Sequence, residues 1–160
     1  MILTKGYSFV GKLMAPGGVL AAIYTPRHRP PGMRFHHAGI ATDDAEGLAA
    51  LYGDLFDAPC VHKERFDGMT IVFLELDNGY FELLEPHEPG PIESYLEGHG
   101  PGIHHLALGA DDIDAALSTA RECGVELIDD EPRPGAWGHE VAFLHPGSTG
   151  GVLVEFVAVD

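Results

Sequence analysis

The sequence predicts an α+β fold in which two tandem βαβββ modules build one curved mixed sheet. The first observation is an internal repeat, because the string FHHAGIATDD that begins at Phe35 recurs as IHHLALGADD from Ile103. The second is that a segment with helical periodicity follows each copy, and the third is that alternating apolar segments follow each helix. Since these features keep the same order, each half is expected to fold as strand, helix and three further strands.

The first module is predicted to cover about residues 34–86. Its opening strand is expected at about 34–42, around the paired histidines. Asp43 and Asp44 follow, and both are suitable N-caps because a short carboxylate accepts hydrogen bonds from the free backbone amides of a helix start. A helix is therefore expected to begin here, and its pattern continues to about Phe56.

The last strands of this module are predicted to form a hairpin. The segment IVFLELDNGYFELLEP, residues 71–86, alternates apolar side chains around Asn78-Gly79, a dipeptide that is typical of two-residue turns. Such a turn pairs Asp77 with Tyr80, and the same register pairs Glu75 with Glu82. Because cross-strand partners point to the same face of a sheet, these two glutamates are expected to be neighbours.

The second module, about residues 102–160, repeats the order of the first. Its predicted helix and strands lie at about 112–123, 125–128, 140–145 and 152–157. A linker at about 87–101 separates the modules, and its segment 92–97 is expected to form a short helix. Residues 34–160 are expected to form a single domain.

Residues 1–33 are predicted to be an N-terminal extension outside the fold. Their apolar stretch is too short to span a membrane, and it is interrupted by Pro16, Gly17 and Gly18, which also argues against a secretory signal. We expect a disordered or loosely attached tail.

The charge of the chain excludes two classes of partner. Its 25 Asp and Glu residues outnumber its 9 Lys and Arg residues, which gives a formal net charge of −16 at pH 7. Neither nucleic acid nor a membrane is therefore an expected partner. Such acidity with few lysines predicts a halophilic protein. Two cysteines are too few for a disulfide framework, which favours a cytoplasmic location.

One histidine of each pair is expected to face a ligand, because successive side chains of a strand point to opposite faces. His37 and His105 share their faces with small residues that leave room for a ligand: Gly39, Ala41, Ala107 and Gly109. His36 and His104 lie on the opposite faces and are expected to pack or to support the site.

Two carboxylates stand alone in apolar strands, Glu82 in YFELLEP and Glu155 in GVLVEFVAV. Burial of an ionised carboxylate is costly unless it is paired or bound to a metal ion. A lone strand glutamate or histidine is more often solvent-exposed or structural, but the repetition of the set favours a metal site. Nitrogen and oxygen ligands with open positions suit Co²⁺, Mn²⁺, Fe²⁺, Ni²⁺, Zn²⁺ or Mg²⁺.

These residues lie in strings that resemble the methylmalonyl-CoA epimerase family of the glyoxalase/vicinal-oxygen-chelate (VOC) superfamily. The resemblance covers about residues 34–157 and rests on HHAGIATDD, FLELDNGYFELLEP, GPGIHHLALGADDIDAAL, LIDDEPRPGAWG and VAFLHPGSTGGVLVE. In HPGSTGG, Gly147 stands where the family has a lysine. If that lysine binds the substrate's carboxylate or phosphates, its contact is missing here or comes from Arg133 or Lys63.

The resemblance implies a VOC fold and an isomerase that interconverts (2S)- and (2R)-methylmalonyl-CoA in propionate metabolism. It implies one divalent metal ion, with Co²⁺ expected first and Mn²⁺, Mg²⁺, Ni²⁺ or Zn²⁺ as alternatives, on the ligands His37, Glu82, His105 and Glu155. Inversion at C2 requires a proton donor on each side of a planar enolate, and Glu155, Glu82 and Glu75 are the candidates. A homodimer is also expected.

Two glycine-rich loops, PRPGAWG and HPGSTGG, are candidates for binding the thioester and pantetheine through backbone amides. The residues predicted for this role are Gly135, Ser148, Thr149 and Gly150.

Other functions on the same fold are a glyoxalase I-like isomerase, a ring-cleaving dioxygenase or a non-catalytic binding protein. A dioxygenase needs Fe²⁺ with two histidines and one carboxylate, which leaves Glu82 without a role. A binding protein without metal leaves all four inward polar residues unexplained.

Overall fold

The computed structural model describes the backbone of residues 7–14 and 20–26 and the complete residues 32–159. Strands β1 (Tyr7–Met14) and β2 (Leu20–Pro26) pair with each other in a separate antiparallel sheet, which was not predicted from the sequence. Of the remaining extension, Gly32 and Met33 are described, and Met33 packs against the core cluster that contains Leu117 and Phe156. The other residues of the extension lie outside the described residues, and the placement of the extension outside the domain stays a prediction. Within the described parts, no helix has the length and apolarity that a membrane span requires.

Residues 32–159 form an eight-stranded mixed sheet with three helices. The strands are β3 (Arg34–Ala41), β4 (Cys60–Phe66), β5 (Met69–Leu76), β6 (Gly79–Pro86), β7 (Gly102–Ala110), β8 (Arg133–Pro134), β9 (Glu140–Leu144) and β10 (Val154–Ala158). The helices are α1 (Ala45–Phe56), α2 (Pro91–His99) and α3 (Ile113–Glu122). The predicted linker helix therefore forms as α2.

The strand order shows the two predicted modules side by side. It is β4-β5-β6-β3-β7-β10-β9-β8, with β3 and β7 antiparallel at the centre. Strand β3 pairs in parallel with β6, and β7 pairs in parallel with β10, so the two halves of the sheet are approximately related by a twofold axis. This arrangement confirms the predicted α+β fold of two repeated modules.

Each module helix begins at its predicted aspartate. The Asp44 carboxylate accepts a hydrogen bond of 2.8 Å from the backbone N–H of Gly47, and Asp112 accepts one of 2.9 Å from the N–H of Ala115. Each bond satisfies an amide that the first turn of a helix leaves free. The repeated aspartates therefore determine where both helices begin.

Helices α1 and α3 cover the two halves of one face of the sheet, whereas α2 packs on the opposite face through Ile92. Helix α1 packs on a buried cluster that contains Ile40 and Leu83, and helix α3 packs on one that contains Leu117 and Phe156. Burying one such side chain contributes about 1.5–3 kcal/mol. The opposite face of β3 and β7 is left for the polar residues of the repeat.

The second module departs from the prediction in one strand. The sequence predicts a strand at 125–128, but Leu127 makes only an isolated bridge to Leu144. On its outer side, β9 pairs instead with the edge strand β8, which has only two residues. Pro132 and Pro134 lie in this segment, and because proline cannot donate to a strand ladder, this edge of the sheet stays short.

The β5–β6 hairpin turns one residue earlier than predicted. Leu76 pairs with Gly79, so Asp77 and Asn78 form the turn, and neither adopts the positive φ that the predicted turn requires. Gly79 is needed instead for a close approach of two strands, because a Cβ there would lie 2.7 Å from the carbonyl oxygen of His36.

Candidate metal centre

Four polar side chains meet where two rows of residues cross the sheet. Each row contains, in order, a phenylalanine, a glutamate, a small residue and a histidine. Across β5, β6, β3 and β7 the row is Phe73, Glu82, Gly39 and His105. Across β9, β10, β7 and β3 it is Phe143, Glu155, Ala107 and His37. The two rows are equivalent in the repeat, and each module contributes one histidine and one glutamate.

The donor atoms of these four residues lie within contact of one another. Nε2 of His37 is 3.1 Å from Oε2 of Glu82 and 3.1 Å from Oε2 of Glu155. Nε2 of His105 is 3.3 Å and 3.1 Å from the same two oxygens, and the two Nε2 atoms are 3.0 Å apart. All four side chains are buried. The cluster is therefore compact and shielded from water.

Burial and charge shift the pKa values of this cluster in opposite directions. Burial alone lowers the pKa of His37, but the carboxylates of Glu82 and Glu155 outweigh it and raise that pKa to about 9. The same balance raises the pKa of His105. Burial raises the pKa of both glutamates, yet the two histidines outweigh it and lower both values. Without a metal ion, the cluster therefore favours protonated imidazoles beside ionised carboxylates.

The donor set fits a divalent metal ion. Oε2 of Glu155 is buried and has no hydrogen-bond partner among the described residues, although both ligand histidines are close to it. An orphaned buried oxygen is costly, and a cation among these atoms would satisfy it. The donor atoms of His37, Glu82 and His105 lie close enough together to hold an ion. Two imidazoles with carboxylates suit the divalent metals that are expected from the sequence.

The neighbouring histidines do not point away from the ligands as strict strand alternation predicts. Nδ1 of His36 lies 2.8 Å from Nδ1 of His37, and Nδ1 of His104 lies 3.0 Å from Nδ1 of His105. Burial, followed by the charge of the adjacent histidine, lowers the pKa of His36 and of His104 to about 4. Both rings are therefore neutral near pH 7.

A cavity of about 310 Å³ opens beside the two glutamates. Its walls are mostly apolar, and its volume is in the range of small-molecule sites. Arg133 is the one Lys or Arg among the described residues that line it, and Asp67 is the one carboxylate besides Glu82 and Glu155. Sequence reasoning missed Asp67, and its only signal was the Asp67-Gly68 pair, a hairpin turn that brings the aspartate to the cavity.

The remaining predicted site residues divide between the cavity and other surfaces. Gly135 lines the cavity. Ser148, Thr149 and Gly150 do not line it. The Ser148 hydroxyl accepts a hydrogen bond from the backbone N–H of Glu126, and the Thr149 hydroxyl donates to the carbonyl of Val152. Lys63 is half-exposed and pairs with Glu46 of α1, so it does not replace the missing lysine at the cavity.

Glu75 lies outside the site. It pairs with Tyr80 across the hairpin and is exposed, whereas Glu82 pairs with Phe73. The predicted pairing of Glu75 with Glu82 is therefore wrong, because the turn begins one residue earlier and separates the two glutamates along the strands. They stay on the same face, since a register change of two positions preserves alternation.

Comparison with known proteins gives a consistent set of relatives. The profile of the glyoxalase/bleomycin resistance protein/dioxygenase superfamily matches residues 36–143. The mitochondrial methylmalonyl-CoA epimerase of Dictyostelium discoideum is 41% identical over 128 residues, which are 76% of this chain and 76% of that protein. An ethylmalonyl-CoA/methylmalonyl-CoA epimerase of Cereibacter sphaeroides is 38% identical over 131 residues, 79% of this chain and 98% of that protein.

Solved structures show the same similarity in three dimensions. A methylmalonyl-CoA epimerase in complex with methylmalonyl-CoA and NH4+ superposes with a TM-score of 0.75 at 32% identity. The match covers 79% of this chain and 94% of that chain.

Proposed function

The chain belongs to the glyoxalase/bleomycin resistance protein/dioxygenase superfamily, and on that premise we propose that it is a methylmalonyl-CoA epimerase. The observation that carries the proposal is the buried His–Glu cluster that opens into a cavity in a chain similar to epimerases. The enzyme interconverts the (2S) and (2R) epimers by removing and returning the proton at C2. It is an isomerase, and its fold is that of the VOC proteins.

The two glutamates are the first candidates for moving the C2 proton. Glu82 and Glu155 are equivalent in the repeat and both line the cavity, so they approach a bound substrate from different modules. We propose that Glu155 exchanges the proton on one side of C2 and Glu82 on the other. Asp67 is the alternative for the second position, because it also lines the cavity and is not a candidate metal ligand.

His37, Glu82, His105 and Glu155 would hold the divalent ion, for which we expect Co²⁺ first. Such an ion supplies Lewis-acid stabilisation of the negative charge that develops when C2 loses its proton. The chain itself excludes water, since the four side chains are buried and the cavity walls are apolar. In that environment the charges of the site act more strongly than in water.

Arg133 is the candidate for binding an anionic group of the substrate. Its guanidinium lies 5.4 Å from the ring centroid of Phe143 and donates from Nε to Oδ1 of Asp129 at 3.1 Å. These contacts hold its charge at the cavity wall. The substrate has one carboxylate and several phosphates. Arg133 would take the place of the lysine that the family has at the position of Gly147.

The location, salt requirement, oligomeric state and metabolic role of the protein are proposed from its composition and its family. Both cysteines are free, which supports a cytoplasmic location. The net charge of −16 supports a halophilic protein. A homodimer and a role in propionate metabolism rest on the resemblance to epimerases.

The first test follows C2 of methylmalonyl-CoA by NMR in D2O at high salt, with and without added Co²⁺. Metal-dependent deuterium uptake with loss of stereochemical purity is expected. Ethylmalonyl-CoA is measured in parallel because one relative is named for both substrates. Absence of exchange in folded, metal-loaded protein would contradict the proposal, and hemithioacetal and catechol substrates would then test the other chemistries of the superfamily.

A further inference from the structure

We propose that His36 and His104 are positioning residues for the metal centre, each accepting a hydrogen bond from Nδ1–H of the ligand histidine that follows it. This inference rests on the metal ligands of the proposed function but not on the identity of the substrate. It assigns a purpose to the doubled histidines of the repeat, of which the ligand set uses only the second member. Each pair acts as one unit: the second histidine binds the metal, and the first fixes its ring.

Two irregularities of the central strand pair make this contact. Phe35 pairs with Leu108 and His37 with Ala107, so His36 is an extra residue without a partner on β7. On the other strand, Gly39 pairs with His105 and Ile40 with Ile103, which leaves His104 as the extra residue. Both register shifts are β-bulges, and a bulge re-aims the side chain of its extra residue. The first histidine of each pair can therefore reach the second.

The chemistry of imidazole makes the contact directional. A neutral imidazole carries one N–H, so a histidine that binds a metal through Nε2 must carry its proton on Nδ1. At the observed contacts, a bare Nδ1 on the preceding histidine satisfies that N–H. His36 and His104 are then Nε2–H tautomers. Partners of this kind orient a ligand ring and increase its basicity.

Both bulge histidines are held in place by aromatic neighbours. The His36 ring lies 5.4 Å from the ring of Tyr80 and 5.4 Å from that of His139, and the His104 ring lies 5.1 Å from that of Tyr95. Their environments otherwise differ. His104 lines the 310 Å³ cavity beside the glutamates, whereas His36 lines a second cavity that is bordered by Trp137. His36 is therefore the better residue to test, because its loss leaves the walls of the candidate substrate cavity intact.

The direct test is NMR of the unmodified protein loaded with Zn²⁺, a diamagnetic ion. We expect a scalar coupling across the hydrogen bond between the Nδ1 atoms of His36 and His37, and a proton on Nε2 of His36. The same pattern is expected for His104 and His105. A proton on Nδ1 of His36, or no coupling in either pair, would overturn the inference.

A pair of substitutions separates hydrogen bonding from packing. His36→Asn keeps an acceptor oxygen near the position of Nδ1, and His36→Leu removes it. We expect His36→Leu to weaken Zn²⁺ affinity about 10–100-fold in a chelator competition, with recovery in His36→Asn. His139→Leu is the control, because His139 packs on the same ring and is not one of the candidate ligands.

The outcomes distinguish this inference from the proposed function. Equal affinity of His36→Leu and native protein, or equal losses in both His36 variants, would overturn the positioning role while leaving the epimerase intact. Native protein that binds Zn²⁺ but does not exchange the C2 proton with any metal would contradict only the proposed function.

Discussion

Gly39 lies directly opposite His105 across the β3–β7 pair, and a Cβ built on Gly39 would lie 2.1 Å from Cε1 of the His105 imidazole. The space above Gly39 is therefore occupied by the ring of a candidate metal ligand. The same strand position in the other row is Ala107, which is fully buried. The small residue at position 39 was expected to leave room for a ligand, but the structure shows that Gly39 makes room for the His105 ring.

We expect Gly39→Ala to remove metal binding while the protein stays folded. The added methyl group would displace the His105 ring, since it would also lie only 2.5 Å from Nε2 of that imidazole. Metal content after dialysis, measured by atomic emission, checks this. Gly98→Ala in helix α2 is the control, because a Cβ there meets nothing within 4 Å. Full metal occupancy in Gly39→Ala would contradict the assignment of His105.

Glu155→Gln is expected to lower turnover by about 10²–10⁴, the range for loss of one general acid–base group. The amide still offers an oxygen to the metal, so metal content is expected to stay close to native. Glu75→Gln is expected to leave turnover unchanged, because Glu75 is exposed and its partner is Tyr80. Steady-state rates and metal content are measured on both, and native activity in Glu155→Gln would refute its role.

Exchange without inversion identifies the second proton carrier. If Glu82 serves the other side of C2, Glu82→Gln is expected to exchange deuterium into one epimer but to produce little of the opposite epimer. Asp67→Asn is expected to retain inversion. Chiral analysis of the product in D2O measures both. The reverse pattern, with inversion lost only in Asp67→Asn, would assign the second position to Asp67.

The stability of metal-free protein is expected to depend on pH through the His–Glu cluster. The pKa of His37 is raised from 6.5 to about 9, so its contribution is fully present below about pH 6.5 and is lost as pH rises through 9. The pKa values of Glu82 and Glu155 are lowered from 4.5, so their contribution is present above that value and is lost on acidification. The Tm of metal-free protein is therefore expected to be highest between about pH 4.5 and pH 6.5.

Thermal melts in a chelating buffer from acid to alkaline pH measure this dependence. A bound divalent ion replaces the protons of the cluster, so metal-loaded protein is expected to keep its Tm across the alkaline range where metal-free protein loses stability. An alkaline decline of equal size in both forms would mean that other groups cause it.

Molar KCl is expected to raise Tm. With 25 acidic and 9 basic residues, the carboxylates of the folded protein repel one another. Salt screens this repulsion, because it shortens the Debye length from about 10 Å at 0.1 M to about 3 Å at 1 M. Calorimetry over a KCl series checks the effect, and sucrose serves as an uncharged control. A Tm that is insensitive to KCl would contradict the halophilic prediction.

The amino-acid sequence predicted the two modules, both helix starts and the four residues that lie together in the structure. It could do so because these features are local or repeated. Asp44 and Asp112 cap helices through amides three residues away. Side-chain alternation within single strands selects the face of His37 and of His105, although bulges bring His36 and His104 toward them. The repeat then implies that equivalent residues of the two modules meet.

Contacts between separate elements fix the register of the β5–β6 hairpin, the bulges and the walls of the cavity, so these features became known from the structure. The Asn78-Gly79 dipeptide favours a turn at these two residues, but the turn forms at Asp77 and Asn78. Gly79 instead lies in the strand, where it packs closely against the carbonyl of His36, a residue that is remote in sequence. The bulges arise from the pairing of β3 with β7, which no single strand encodes. Asp67 and Arg133 become cavity residues for the same reason, because separate elements bring them together.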